Sequence, residues 1–184
     1  MEQKDVLKLL NNEKISQYFN EMSEVHKYTK HYLLIAEEIS EEGVAFLQPM
    51  KEHRDAYDHL MRIFSLPIKD AEKKIDVEEY VMDNVKKAFG HEYRAFFDMA
   101  DWFTYICRKY IREELSYNSV RKKYEDEYKD FNEVKDFIND VPFQVAKYRE
   151  EKDVSNDDPR LSEVLEYKSI MDRLLEIYKR VKLL

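Results

Sequence analysis

The stretch VEEYVMDNVKKAFGHEYRAFFDMADWFTYICRKYIREEL, residues 77–115, decides the fold class of this chain. Its apolar residues recur at helical spacing, which predicts one long amphipathic helix. They are Tyr80, Val81, Val85, Phe89, Phe96, Ala100, Phe103, Cys107, Tyr110 and Ile111. Gly90 falls inside this pattern, where glycine costs about 1 kcal/mol relative to alanine. We expect Gly90 to permit a kink or a close approach of a second helix.

The composition extends the helical prediction to the whole chain. Only 2 Gly and 4 Pro occur in 184 residues, against 43% hydrophobic and 38% charged residues. Few helix breakers and many Lys and Glu residues favour an all-α protein. We predict an up-and-down bundle of about five helices with one very long central helix. It forms a single domain over 1–184, with a core bundle at about 12–150 and a C-terminal helix, about 159–184, that packs on it.

Capping residues and breakers predict where the other helices begin and end. The first helix is expected to begin at Asn12 and to end at Gly43, and the second to run from 46–49 to Phe64. The fourth is expected to start at Ser119 and to be interrupted at 139–142. The last helix has Asp158 as its N-cap and Pro159 at its first position.

Charge and cysteine content exclude several classes of protein. The formal net charge is −8, so we expect no extended DNA binding, which requires clustered Lys and Arg. Cys107 is the single cysteine and lies in an apolar stretch, so it is predicted to be a small core residue. No apolar run approaches about 18 residues and no leader is evident at Met1. We therefore expect a soluble cytoplasmic protein that does not enter the membrane.

Two segments share an R-x-x-[aromatic]-D pattern, namely residues 54–58 and 94–98. Arg and Asp four residues apart lie on one face of a helix. If the two helices pack antiparallel, Arg54 can face Asp98 while Asp58 faces Arg94. The sequence thus predicts a reciprocal clasp of ion pairs at the interface. His59 and His91 are expected at its margins.

The remaining motifs argue against most cofactors. Gly43 and Gly90 alone cannot build a phosphate-binding loop or a dinucleotide fingerprint. No Glu stands three residues before a His, so helical di-iron pairs are lacking, and no two His are four apart as in helical zinc motifs. We therefore expect neither cofactor nor metal. His53 is predicted to lie at the solvated surface, and His26 to be partly exposed.

The segment 54–59 also reads R-x-x-x-x-H, with Asp55 directly after Arg54. In this motif and in its all-helical layout the chain resembles the HEPN superfamily of small helical bundles. Many members are nucleases of prokaryotic defence and toxin–antitoxin systems, in which two copies of an R-x(4–6)-H motif meet across a homodimer and cleave RNA without metal. The resemblance implies that Arg54 contacts the phosphate in the transition state, that His59 is the general acid/base, and that Asp55 takes the polar position. Met61 stands where some nucleotidyltransferase-paired members have Tyr.

The sequence leaves two functions open. In the first, the protein is a non-enzymatic bundle, with a homodimer as one candidate assembly. Its polar cluster then serves as architecture or binds a small ligand or nucleotide; the cluster comprises Asp55, Asp58, His91, Arg94 and Asp98. In the second, Arg54 and His59 are the catalytic residues of a metal-independent HEPN-type ribonuclease that acts on RNA as a homodimer. The net charge of −8 favours the first because it offers little to hold RNA.

Overall fold

A computed structural model describes residues 8, 11–40, 46–65, 76–154 and 159–184 of the chain. These residues form helices and short connections without any strand, which confirms the all-α prediction. The helices are α1 (Glu13–Ile39), α2 (Leu47–Phe64), α3 (Val77–Ser116), α4 (Asn118–Tyr128), α5 (Phe131–Val154) and α6 (Leu161–Lys182). None of these described helices has the length and apolarity that crossing a lipid bilayer requires.

Side-chain caps begin two of the helices. The Asn12 side chain accepts hydrogen bonds from the backbone N–H groups of Lys14 (3.0 Å) and Ile15 (3.4 Å). This confirms the predicted start of α1. Asp76 caps α3 in the same way. At the last helix the prediction is wrong by two residues, because α6 begins at Leu161 rather than at Pro159. Helix α1 ends at Ile39 with Ser40 as its C-cap, so the end predicted at Gly43 is wrong. Gly43 and Asp158 themselves lie outside the described residues.

The long helix α3 is the centre about which the other helices pack. Phe89, Phe96 and Phe103 are fully buried along it, each about two turns from the next. Helix α1 runs parallel to α3, since Tyr18 meets Phe89 and Tyr32 meets Phe103 further along both helices. Helix α6 is also parallel to α3, whereas α2 is antiparallel to it. Helices α1 and α2 both pack against α3.

The chain breaks between α4 and α5 at a different place from the one predicted. Lys129 adopts a left-handed conformation, with φ of 57°, and ends α4, so the interruption expected at 139–142 is wrong. Pro142 instead lies inside the continuous helix α5. A proline at this position cannot donate to the carbonyl of Ile138 four residues earlier. That carbonyl accepts a hydrogen bond from Nη2 of Arg112, at 3.2 Å, which explains how α5 tolerates the proline.

Two single residues of α3 test the sequence predictions further. Cys107 is fully buried and burial raises its pKa to about 12, which confirms its placement in the core. Gly90 does not provide a close approach of two backbones. A Cβ added there would meet only Nη1 of Arg94, at 3.6 Å, which is ordinary van der Waals contact. The close helix approach expected at Gly90 is therefore wrong, whereas the kink stays a prediction.

Candidate functional site

The interface of α2 and α3 combines small apolar residues with a layer of polar ones. Ala56 and Ala88 are buried, and small side chains at such positions let two helices approach closely. Further along, Ile63 packs with Val81 and Val85 in a separate apolar cluster. Because these apolar contacts fix the register of α2 against α3, they also determine which polar residues stand opposite one another.

The polar layer is built on two reciprocal Glu–His contacts. Nδ1 of His91 lies 2.8 Å from Oε2 of Glu52, and Nδ1 of His53 lies 3.0 Å from the Glu92 carboxylate. Helix α2 contributes the adjacent residues Glu52 and His53, and α3 contributes the adjacent residues His91 and Glu92. In the antiparallel register of α2 and α3, Glu52 stands level with Glu92 and His53 stands level with His91. Each carboxylate therefore reaches diagonally, by one residue, to the imidazole of the other helix.

Helix α1 adds a third imidazole to the layer. Nδ1 of His26 lies 3.1 Å from Oε2 of Glu92, and the rings of His26 and His53 stand edge to face at 4.9 Å. The donor atoms of His26, His53 and Glu92 all lie within 4.8 Å of one another. The Glu92 side chain is 9% exposed, that of His53 17% and that of His26 49%. The group therefore opens towards solvent on the His26 side.

The opposite end of the layer is formed by α2 and α3 alone. Nε of Arg94 donates to Oε2 of Glu52 at 3.0 Å. Nη2 of Arg94 also lies 2.7 Å from Nδ1 of His91, the atom that contacts Glu52. That atom can donate to Glu52 or accept from Arg94, but it cannot do both in one protonation state. His59 stacks on His91 with ring centroids 5.4 Å apart, and its Nδ1 lies 3.1 Å from Oδ1 of Asn84.

The electrostatics of the layer favour ionised carboxylates. Burial opposes ionisation of Glu92, but hydrogen bonds from His26 and His53 outweigh it, and the pKa of Glu92 lies below its ordinary value. Burial is likewise outweighed at Glu52 by hydrogen bonds from His91 and Arg94, so the pKa of Glu52 is also lowered. The hydrogen bond to Glu92 raises the pKa of His26 against the opposing effect of its burial. The layer is therefore held together by charge-assisted hydrogen bonds.

The predicted clasp of Arg54, Asp58, Arg94 and Asp98 is wrong in its pairing. Arg54 is 69% exposed and donates to Asp55, whose pKa this contact lowers. Asp58 binds Arg62 on the outer face of α2, and Arg94 binds Glu52.

The register of the two helices explains the error. With Glu52 opposite His91 and His53 opposite Glu92, Arg54 stands level with Gly90. Asp98 is eight residues further along α3, about 12 Å away. It lines a cleft between α3 and α5 together with Trp102 and Pro142.

The residues of the R-x-x-x-x-H motif point to different sides of α2. Residues five apart on a helix are separated by about 140° around its axis. Accordingly Arg54 projects from the outer face, whereas His59 is half-buried between α2 and α3 beside Asn84 and His91. Within one chain, these two side chains do not converge on a common substrate position.

One of the two histidines expected at or near the surface lies inside the layer. His53 was predicted at the surface, but its side chain lies within the layer; His26 is partly exposed, as expected. The sequence does carry a signal for this layer, the inverted dipeptides Glu52-His53 and His91-Glu92. A search for ligand spacing within one helix cannot detect it, because each contact joins two helices.

Compared with known proteins, the chain matches no family model, no curated protein and no solved structure at a significant level.

Proposed function

We propose that the protein is a non-catalytic helical-bundle module that works as a homodimer, with the outer face of α2 as the interface. The observation that carries the proposal is a stripe of exposed residues on this face, here called the outer stripe. It consists of Leu47, Met50, Arg54, Tyr57, Met61 and Phe64. Each of its five apolar members is at least 42% exposed.

The spacing of the outer stripe is that of a coiled-coil seam. Its members are separated by alternating steps of three and four residues, which keeps them on one line when two helices wind around each other. The inner face of α2, with Ala56 and Ile63, is already buried against the rest of the chain. A helix that is apolar on both faces needs a second partner, and scattered surface apolar residues would not repeat at this interval.

The charges along the outer stripe favour a second copy of the same chain in antiparallel orientation. A two-fold axis near the middle of the stripe places Arg54 beside Tyr57 and Asp58 of the partner subunit, and the symmetry repeats both contacts. Lys51 then also lies close to Asp58 of the partner subunit. A parallel pair would instead place the two copies of Arg54 side by side, where their positive charges repel each other. The R-x-x-[aromatic]-D pattern of residues 54–58, which forms no clasp within the chain, is thus complementary to a second copy of itself.

The interface formed by this stripe is small. Two 18-residue helices in contact bury on the order of 1,000 Å², the lower end for specific complexes. We therefore expect a reversible dimer whose population rises with protein concentration. The Glu–His layer supports this role as internal architecture, because it holds α2 in position while its outer face is presented.

Sedimentation velocity over a range of protein concentrations tests the proposal. The wild type should shift from monomer to dimer, whereas Met50→Glu should stay monomeric because it places a carboxylate opposite Met61 of the partner subunit. Leu34→Glu is the matched control, since Leu34 is similarly exposed on α1 but lies outside the stripe. A wild type that stays monomeric throughout would refute the homodimer.

Charge reversal tests the antiparallel orientation. Arg54→Asp and Asp58→Arg should each weaken the dimer, and the double variant should recover it because the reciprocal pairs are restored with exchanged signs. Both residues are exposed and bind only neighbours on α2, so the fold should tolerate the changes. If the double variant dimerises no better than the two single variants, the helices do not pair in this way.

A metal-independent HEPN-type ribonuclease is the alternative function. It receives less support, because Arg54 and His59 diverge within the chain and His59 already contacts Asn84. RNA incubated with the protein in EDTA decides between the two. Cleavage by the wild type that is lost in His59→Ala would favour the nuclease, whereas intact RNA in both samples agrees with a binding module.

A further inference from the structure

We infer that His26, His53 and Glu92 form a binding site for a divalent transition-metal ion of the zinc class. Three different helices, α1, α2 and α3, each contribute one ligand. Along the sequence the three residues are far apart, so no motif on a single helix reveals the site. Two imidazoles and one carboxylate are a ligand set that zinc sites in proteins use.

The distances between the ligand atoms suit such an ion. Zinc lies about 2.0–2.2 Å from nitrogen and oxygen ligands, so two ligands at a tetrahedral angle are about 3.4 Å apart. The Glu92 carboxylate lies 3.1 Å from Nδ1 of His26 and 3.0 Å from Nδ1 of His53. All three ligand atoms lie within 4.8 Å of one another, so the two imidazole nitrogens have to approach each other by up to about 1.4 Å to reach this spacing, a movement open to the half-exposed His26 side chain. The edge-to-face rings of His26 and His53 both present Nδ1 to Glu92.

Burial and charge also distinguish this group from a surface cluster. Glu92 is the only charged residue that is buried among the described residues, and its carboxylate carries the negative charge that a cation requires. His53 is held on the inner part of α2, while His26 is half-exposed. Solvent therefore reaches one side of the site, where water can complete the coordination of a metal held by three protein ligands.

The donor set also selects between classes of cation. Imidazole nitrogen suits zinc, nickel, cobalt and iron, whereas magnesium and calcium prefer oxygen ligands. Zinc is the probe of choice because it has no geometric preference of its own and adapts to the angles that the helices impose. Magnesium is the matched negative control. We expect the ion to join α1 to the pair α2 and α3.

Isothermal titration of tag-free, EDTA-treated protein with zinc chloride tests the site. The wild type should take up one ion per chain and show no response to magnesium. His26→Gln and His53→Gln should each weaken zinc binding by at least about tenfold, because an amide can keep a hydrogen bond to Glu92 but is a poor zinc ligand. Circular dichroism establishes that each variant is folded. Since His26 is half-exposed, its variant keeps the test valid if His53→Gln is unstable.

His91→Gln is the control within the same layer. His91 is 18% exposed and contacts Glu52, so it matches His53 in burial and in partner but lies outside the proposed site. It should bind zinc within about twofold of the wild type. His31→Gln, at an exposed histidine of α1, should also leave binding unchanged. Absence of zinc binding in the wild type, or an equal loss in His91→Gln and His53→Gln, would overturn the proposal.

Discussion

The contact between His53 and Glu92 can be measured as a coupling free energy. A hydrogen bond to a charged group contributes about 1.5–3 kcal/mol, and the carboxylate of Glu92 accepts two, from His26 and His53. The hydrogen bond from His26 contributes less than this, because the His26 side chain is half-exposed and water screens the contact. Glu92→Ala should therefore lower the free energy of unfolding by about 2–4 kcal/mol. The coupling between Glu92→Ala and His53→Ala should be about 1.5–2 kcal/mol.

The measurement is urea unfolding of the wild type, both single variants and the double variant, followed by circular dichroism in EDTA so that no metal contributes. The loss in Glu92→Ala corresponds to a midpoint shift of about 1 M at unchanged slope. A second cycle between Glu92 and His91 is the control, since His91 contacts the other carboxylate, Glu52. Its coupling should stay below about 0.5 kcal/mol. If both cycles give the same coupling, the Glu–His layer does not consist of the specific pairs described.

Three further predictions concern stability. The free energy of unfolding should fall as pH drops through the lowered pKa of Glu92, and a smaller part of it should be lost as pH rises through the raised pKa of His26. Unfolding measured across pH should therefore show the contribution of this contact at its maximum between about pH 4.5 and 6.5. Gly90→Ala should raise the free energy of unfolding by about 1 kcal/mol, because a Cβ finds room there; a loss in urea unfolding would contradict this. Arg112→Met should destabilise the wild type by about 1–2 kcal/mol. In a Pro142→Ala background the same change should cost clearly less, because alanine restores the backbone donor to the Ile138 carbonyl. Thermal unfolding in both backgrounds measures the two losses, and equal losses would refute the explanation.

The helices were largely predictable from local sequence. Asn12 and the long apolar stripe of 77–115 act through neighbours only a few residues away, and α1 and α3 both begin where they were expected to begin. The break near Pro142 was not predictable, because its outcome depends on a distant residue. Arg112 supplies the missing donor to the carbonyl of Ile138, and the chain bends at Lys129 instead. The close approach expected at Gly90 was also wrong, since only tertiary neighbours determine whether an added Cβ finds room.

The polar layer separates what the sequence determines from what the tertiary structure decides. Composition and periodicity alone establish an all-helical chain, because helix formation depends on local spacing and propensity. The sequence contains two patterns that align α2 with α3 differently. The dipeptides Glu52-His53 and His91-Glu92 belong to one alignment, and the repeated R-x-x-[aromatic]-D pattern, which predicted Arg54 opposite Asp98, belongs to the other. Choosing between these two alignments requires a shift of about 12 Å between α2 and α3. Packing of buried apolar side chains makes that choice, since it involves far more surface than a few exposed ion pairs can offset.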